Sequence, residues 1–226
     1  MRFDVIDASG YLKTRGALGA TGARGATGLT PTLQAMPGED GDPGDPWPGP
    51  TGATGARGRV QLFDQTLAID TATIDTGAAG IAAGSNDLEI TILVRTDEVV
   101  VGGSCLLRVN ADAGNNYDRQ YVRGDNTTPL AGNGNAEAQW GMVIAGASCA
   151  AGVFSVIRVW IPCYTQTVAW KSGTIQHARV DTTVANSRAE LQGCLWRSTA
   201  AISRFSMTAL AGRLFLAGSR LLIVGV

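Results

Sequence analysis

The chain has 226 residues, with 18 basic and 19 acidic side chains and 45% apolar residues. Because these charges nearly cancel, the protein has no field that would recruit nucleic acid or an anionic membrane surface. No stretch approaches the roughly 20 consecutive apolar residues of a membrane helix, so membrane insertion is not expected.

Residues 1–15 open the chain and mix apolar side chains with charges. The segment reads MRFDVIDASGYLKTR and has Asp4 and Asp7 where a signal peptide would have its apolar core. Export by a cleaved signal is therefore not expected, and the sequence favours assembly in the cytoplasm of the producing cell.

Glycine recurs at every third residue through most of region 16–58. Twelve of the 30 glycines lie there, and nine of the eleven intervals between them are three residues. Three polyproline-type chains wound on one axis leave room at that axis only for glycine. The period therefore predicts a collagen-like triple-helical shaft and a homotrimer. The alternative is a disordered spacer, although a flexible linker has no reason to keep a phase.

The first interruption of the period is LTPTLQAMP, residues 29–37. Leu29, Leu33 and Met36 are spaced four and three residues apart. Three copies of this turn could close a small apolar plug on the threefold axis. An extended interruption without packing is the alternative, because one turn is too short to establish a helical period.

The second interruption, residues 45–48, is a five-residue step between Gly44 and Gly49. Trp47 stands where the next glycine would fall, between two prolines. An indole cannot enter the crowded axis of a triple helix. The sequence therefore predicts a joint in the shaft, with Trp47 as its packing element.

These Gly-X-Y triplets are expected to give a triple helix of low stability. The first run contains no proline, and the second has four acidic residues with no basic residue among them, so like charges repel in a trimer. Trimerisation is therefore expected to come from one or both ends of the shaft.

Residues 59–226 contain short runs rich in apolar residues, several of them alternating with polar ones, separated by turn-forming sequences. The predicted strands are 87–94, 104–109, 139–146, 153–161, 166–171, 190–196, 201–210 and 219–226. Many short strands without a helical period predict a mainly β fold, a jelly-roll-like β-sandwich. The terminal run LLIVGV predicts a buried C-terminal strand.

The cysteines and tryptophans of this region are expected inside the domain. The cysteines are Cys105, Cys149, Cys163 and Cys194, and the tryptophans are Trp140, Trp160, Trp170 and Trp196. The cysteines have apolar neighbours and no metal-ligand spacing, which favours buried free thiols. A disulfide would form only if the geometry allowed one.

Catalytic motifs are absent from the sequence. The one histidine, His177, is interpreted as a solvated or hydrogen-bonded structural residue, and neither a serine-nucleophile nor a zinc-protease motif occurs. No enzymatic activity and no cofactor are expected. A glycan hydrolase remains the alternative, because a pair of acidic residues needs no motif.

Oxygen-bearing side chains alternate in NADAGNNYD, residues 110–118. Asn110, Asp112 and Asp118 could contribute to a calcium loop, but the distal bidentate glutamate of an EF-hand is missing. The favoured interpretation is an Asx-rich turn that caps its own backbone.

Polar loops of a β-sandwich commonly carry binding residues, and GDNTTPLAGNGN, residues 124–135, is predicted to be such a loop. Tyrosines beside polar loops suit sugars, whose apolar faces stack on rings. The candidate glycan or receptor contacts are Asn115, Asn116, Tyr117, Tyr121, Asp125, Asn126, Asn133 and Tyr164.

The whole chain resembles the fibre proteins and minor tail proteins of tailed bacteriophages. The resemblance rests on the order of an N-terminal segment, Gly-X-Y triplets and a domain containing LLRVNADAGNNYDRQY, VFSVIRVWIPCY, LWRSTAAISRFSM and FLAGSRLLIVGV. It implies a virion protein, a homotrimer whose residues 1–15 anchor it to other virion proteins and whose C-terminal heads face host surface glycans. It supplies no fixed set of binding residues.

Two other functions remain open from the sequence. A head fibre or capsid decoration protein would have the same shaft and head with a structural or weakly adhesive role, and residues 1–15 do not distinguish a capsid socket from a tail socket. A glycan hydrolase would need a groove with two paired carboxylates.

Overall fold

The computed structural model describes residues 5–6, 12–13, 58–78 and 80–226. The chain divides into two compact units, Met1–Arg57 and Gly58–Val226. In the first unit, strands β1 (Val5–Ile6) and β2 (Leu12–Lys13) pair antiparallel. The predicted shaft, its plug and its Trp47 joint lie outside the described residues.

The second unit, called the β domain below, is built of strands. They are β3 (Val60–Thr66), β4 (Thr73–Asp75), β5 (Leu88–Val94), β6 (Gly102–Val109), β7 (Tyr117–Asp125), β8 (Thr128–Glu137), β9 (Trp140–Ala145), β10 (Ser155–Ile161), β11 (Lys171–Arg179), β12 (Arg188–Trp196), β13 (Phe205–Ala209) and β14 (Arg220–Gly225). A single 3-10 turn, Val184–Asn186, precedes β12. The expectation of a mainly β fold is confirmed for this unit.

Two antiparallel sheets enclose one shared core, the arrangement of a β-sandwich. The large sheet has the strand order β3-β14-β5-β10-β11-β12-β7-β8, and the small sheet has the order β4-β13-β6-β9. Buried side chains from both sheets form a single apolar cluster. Because successive side chains of a strand point to opposite faces, every second residue enters this cluster. Strand β5 shows the pattern, with Leu88, Ile90, Ile92 and Val94 fully buried.

The C-terminal strand predicted from LLIVGV is confirmed. Strand β14 lies between β3 and β5 and pairs antiparallel with both. Leu221 and Ile223 are fully buried. The strand therefore has no free edge in the sheet.

The predicted loop 124–135 is wrong, because these residues form most of a β-hairpin. Strands β7 and β8 pair over almost their full length and are joined by Asn126 and Thr127. Asn126 has φ +57°, a left-handed conformation that asparagine tolerates in turns. Strand β8, TPLAGNGNAE, lacks apolar alternation, so its hydrogen bonds to β7 rather than its own propensity make it a strand.

Two of the four tryptophans expected in the core are outside it. Trp140 and Trp196 are buried, but Trp160 and Trp170 are 45% and 55% exposed. The predicted strand 166–171 is also wrong, since β11 begins only at Lys171. The sequence of β10, SVIRVWI, is apolar on both faces of the strand. The pattern therefore could not decide which of the two faces Trp160 occupies.

All four cysteines are free thiols, as expected, but only three are buried. Burial raises the pKa of Cys105, Cys149 and Cys194, the last to about 12. Cys163 is exposed because it lies in the turn after β10, where its φ is +50°.

Candidate functional site

Strand directions bring six connections to the same end of the β domain: residues 67–72, which follow β3, residues 210–219, which precede β14, and four others. Strands β3, β5, β7 and β11 end there, and β10, β12 and β14 begin there. The four others, called the distal loops below, are residues 95–101, 126–127, 146–154 and 180–187. Gly58 and the start of β3 lie at the opposite end of the large sheet.

Arg95 holds the distal loop 146–154 in place. Its side chain is buried at 8% exposure. Its two terminal nitrogens donate to four carbonyl oxygens of the loop at 2.7–3.2 Å, those of Ala147, Cys149, Ala150 and Val153. A guanidinium presents its donors in a planar fork, which a lysine cannot do. Arg95 thus holds the loop together with backbone hydrogen bonds from Gly146, Ala147 and Ser148 to loop 95–101.

Arg179 joins two more of the distal loops in the same way. Its Nε donates to the carbonyl oxygen of Asn186 at 2.7 Å, and its Nη1 donates to those of Val101 at 3.0 Å and Ile144 at 3.3 Å. Arg179 is only 5% exposed. Loops 95–101 and 180–187 are thus tied together through a buried charge.

Asp181 shapes the loop 180–187 from within. Desolvation raises the pKa of its carboxyl, but the hydrogen bonds that it accepts from Asn186 and Thr182 outweigh this effect, and the pKa falls to about 2. Its backbone N–H donates to the hydroxyl of Ser187 at 3.1 Å. The loop therefore contains a carboxylate that stays ionised at neutral pH.

Two sequence-derived candidates, Asp125 and Asn126, lie at the distal end. The Asp125 carboxylate accepts a hydrogen bond from Arg188 at 2.9 Å and pairs with Arg123 at 3.0 Å. The Asn126 backbone N–H donates to the carbonyl oxygen of Ser187 at 3.0 Å, while its side chain is exposed. The hairpin tip is therefore fixed against loop 180–187 and presents Asn126 to solvent.

Apolar side chains are also exposed at the distal loops. Val99, Val180 and Val184 are 73%, 75% and 67% exposed. Phe154 is the aromatic residue of these four loops, and its exposure is intermediate. The distal surface thus combines amide, hydroxyl and small apolar groups without a fully exposed ring.

Tyr117 and Tyr164, two candidate glycan contacts, are fully buried. The Tyr117 ring meets Trp140 edge-on at 5.1 Å, and its hydroxyl bonds the backbone of Val109. The Tyr164 hydroxyl donates to the carbonyl oxygen of Ala82 at 2.6 Å. Both rings belong to the core and offer no surface for stacking.

Tyr121 lies on the inward face of β7, flanked by arginines. The guanidinium carbons of Arg119 and Arg123 are 5.7 and 5.3 Å from its ring centroid. The ring covers Gly132, where an added Cβ would meet the Tyr121 hydroxyl at 2.4 Å. The Tyr121 ring is therefore already engaged in cation–π contacts with these two arginines. Asn133 is on the neighbouring strand and faces the other side of the sheet.

Asn115 and Asn116 lie at the end of the domain away from the distal loops, in the turn after β6. There Asp112 accepts hydrogen bonds from the backbone of Gly114 at 2.8 Å and from the Trp196 indole at 2.7 Å. This is the Asx turn favoured by the sequence. Among the described residues, no group of three or more His, Cys, Asp or Glu side chains could hold a metal ion.

Six carboxylates of the β domain are held in ion pairs with arginines. They are Asp64, Asp75, Glu89, Asp118, Asp125 and Glu137. Hydrogen bonds from Arg220 and Arg204 lower the pKa of Asp64 and Asp75. These two groups are therefore ionised at neutral pH and are not poised to donate a proton.

His177 is 3% exposed, and neither ring nitrogen has a hydrogen-bond partner among the described residues. Burial is the main reason that its pKa falls to about 4, and Arg188 and Arg179 lower it further, while Asp125 opposes them. The interpretation of His177 as solvated or hydrogen-bonded is therefore wrong, because its ring is buried in the domain without a hydrogen bond to the described residues. At neutral pH the imidazole is uncharged.

The pKa of His177 predicts that stability falls in acid. Between pH 6.5 and pH 4 the unfolded chain binds a proton that the folded chain does not, so the free energy of unfolding decreases as the pH is lowered. At pH 4.5 the expected loss is about 2–3 kcal/mol relative to pH 7.5. Denaturant unfolding of the wild type and of His177→Leu at both pH values measures it. An equal pH dependence in the two proteins would contradict the assignment.

Sequence reasoning missed Arg95 and Arg179. Both stand at the ends of strands, where a charged residue usually faces solvent, and only the nearby loop carbonyls make these positions buried. Alternation offered a signal only for Arg179, which has the same parity as the inward Ile175 and His177 of β11. Arg95 has the parity of the outward Leu93, so the alternation of β5 would have assigned it to the outer face.

No protein family, no curated protein and no solved structure was found to match this chain. Among the described residues, no helix is long and apolar enough to cross a membrane.

Proposed function

We propose that this chain is the subunit of a homotrimeric fibre of a tailed bacteriophage, a tail fibre or minor tail protein that projects a β head towards the host surface. The observation that carries the proposal is the glycine period, which ends at Gly58, two residues before β3 begins. A Gly-X-Y run requires three chains at one axis. Three β domains would therefore be tethered together.

The connectivity of the sandwich supports a jelly-roll-like head. The eight strands β3, β4, β5, β6, β9, β10, β13 and β14, renumbered 1 to 8, follow the order 1-8-3-6 in one sheet and 2-7-4-5 in the other. This interleaving is that of a jelly roll, a frequent fold of viral structural proteins. The pairs β7–β8 and β11–β12 widen the large sheet beyond it.

The proposed shaft would hold the β domain at a distance from the virion. At a rise of about 3.1 Å per residue, the 43 residues from Gly16 to Gly58 would extend about 130 Å. Residues 1–15 would anchor this shaft to other virion proteins. The distal loops, at the far end from Gly58, would then be the part of each head that meets the host surface.

Host surface glycans are the proposed ligands of the distal loops. Asn126 and the hydroxyl and amide groups of loop 180–187 supply hydrogen-bonding partners for sugars. Loop 180–187 is fixed by Arg179, and Asn126 is fixed by its backbone hydrogen bond to Ser187, which lowers the entropy that binding would cost. Three heads on one shaft would add avidity, because the second and third contacts form at high effective concentration.

The second candidate is a head fibre or capsid decoration protein with a structural or weakly adhesive role. It is favoured by the absence of a fully exposed aromatic ring in the four described distal loops. A structural protein needs no ring for stacking, whereas many sugar sites use one. Saturable binding on a glycan array, lost on replacing Asn126 and Thr127 by alanine, supports attachment; no binding favours decoration.

Sedimentation equilibrium of the full chain tests the trimer. The expected mass is three times 23.4 kDa. Gly25→Ser should lower the trimer's melting temperature, because it places a side chain at the crowded axis. Thr27→Ser, outside the glycine phase of the same run, is the matched control and should change nothing. A monomeric full chain would overturn the fibre proposal.

A chain starting at Val60 identifies the trimerising end. A trimer of this fragment means that the β domain drives assembly and holds the weak triplets closed. A folded monomer, checked by circular dichroism, means that the N-terminal plug or the virion socket supplies that association.

A further inference from the structure

The outward face of the large sheet is unusually apolar. In the register of the paired strands, one row of outward positions runs across six strands without a charged residue; it consists of Leu93, Val156, Ala178, Ala189, Gly124 and Pro129. The adjoining row continues the surface with Leu191 and Val122, which face each other and are 48% and 58% exposed. Contiguous exposed apolar surface of this kind marks a contact site.

Two shallow depressions form on this same face. The larger, of about 720 Å³, is bordered by side chains that include Val122, Ala131 and Leu191. The smaller, of about 320 Å³, lies beside the exposed Trp160. Gln176 borders both, so they are parts of one continuous surface.

The charges on this face are already neutralised within the chain. Glu89 pairs with both Arg59 and Arg158, and Asp64 pairs with Arg220 at 2.6 Å. A partner that covers these groups would leave no charge without its counter-charge. Burial of these pairs would still cost desolvation, but it would avoid the larger cost of leaving a charge buried without a partner.

The outward face of the small sheet provides an internal comparison. Its rows contain Thr73 beside Thr208, and Asp75 beside Ser206 and Arg108. This face is polar, as expected for a surface in water. Leu106 and Val143 also point outward on the small sheet, but both are only partly exposed. Among the described residues, the large sheet therefore exposes the more apolar of the two outward faces.

The chain enters the β domain beside the outward face of the large sheet. Gly58 ends the glycine period, and the next residue, Arg59, forms its ion pair with Glu89 on the outward face of the large sheet. Three chains in a triple helix share one axis. The surface of each head nearest to Gly58 would therefore lie closest to that axis.

We propose that the outward face of the large sheet is the surface by which the β domain packs against a second copy of this chain; the proposal rests on the homotrimer proposed above. Strand spacings of about 4.8 Å and a rise of about 3.3 Å per residue give the face an extent of about 800 Å². A stable interface buries about that area on each partner. Tethering by the shaft gives the heads a high effective concentration, on the order of millimolar.

Cysteine labelling of the full-length chain tests the proposal. Leu191→Cys places a thiol in the apolar face, and Thr73→Cys places one on the polar face of the small sheet. The exposed native Cys163 is the reference within each molecule. A bulky maleimide should label the Leu191→Cys thiol about tenfold more slowly than the Thr73→Cys thiol, because access limits the reaction. Val122→Cys should behave like Leu191→Cys.

Sedimentation equilibrium of the same variants separates the two proposals. A trimer with slow labelling at positions 191 and 122 supports the interface. A trimer in which these thiols react as fast as the one at position 73 overturns the interface and leaves the fibre proposal standing. A monomeric chain overturns both.

Discussion

Deletion of residues 220–226 is expected to unfold the β domain. Strand β14 is hydrogen-bonded on both sides, to β3 and to β5, so its loss detaches the edge strand β3 from the large sheet and leaves β5 without a partner on that side. It also removes Leu221 and Ile223 from the core, where both are fully buried. Each large-to-small change at such a site costs about 2–5 kcal/mol, against a total stability of about 5–15 kcal/mol.

Circular dichroism and thermal unfolding of the deletion variant measure this effect. Ile223→Ala is the milder variant and should retain the fold while losing about 2–5 kcal/mol. Val226→Ala is the matched control, because that side chain is 40% exposed, and it should change stability by no more than about 0.5 kcal/mol. A deletion variant that still unfolds cooperatively near the wild-type temperature would contradict the central role of β14.

Arg95→Met is expected to destabilise the β domain and to release loop 146–154. The substitution removes the Arg95 donors from four loop carbonyl oxygens, and each buried acceptor that is left unsatisfied costs about 1–3 kcal/mol. Hydrogen exchange of the loop should accelerate more than that of β10, because local opening requires less energy than global unfolding. Arg95→Lys should have a stability and a loop exchange rate between those of the wild type and Arg95→Met, since an ammonium reaches fewer of the four carbonyls.

Arg213→Met is the control for the loss of a positive charge near the same end of the domain, and it should leave both stability and exchange near wild type. If the distal loops contact the host, Arg95→Met should also weaken binding without changing the sedimentation mass. Unchanged exchange in loop 146–154 would show that Arg95 is not what orders it.

The sequence by itself determined the local features of the β domain. Alternation in DLEITILV predicted β5 and its inward residues, because a period of two is a property of the extended chain and needs no partner. The terminal LLIVGV likewise predicted β14. Apolar neighbours predicted burial for all four cysteines, which is confirmed for three and wrong for Cys163. The three-residue glycine period is also visible in the sequence alone. The triple-helical shaft that this period predicts lies outside the described residues and stays a prediction.

Only the tertiary structure decided the features that depend on a distant partner. Strand β8 has no apolar pattern and exists because it pairs with β7. Trp160 is exposed because VFSVIRVWI is apolar on both faces and the small sheet covers only one. Arg95 is buried because loop 146–154, some fifty residues away, surrounds it with carbonyl oxygens. Pairing and coverage depend on contacts between segments far apart in the chain, which a local residue pattern does not encode.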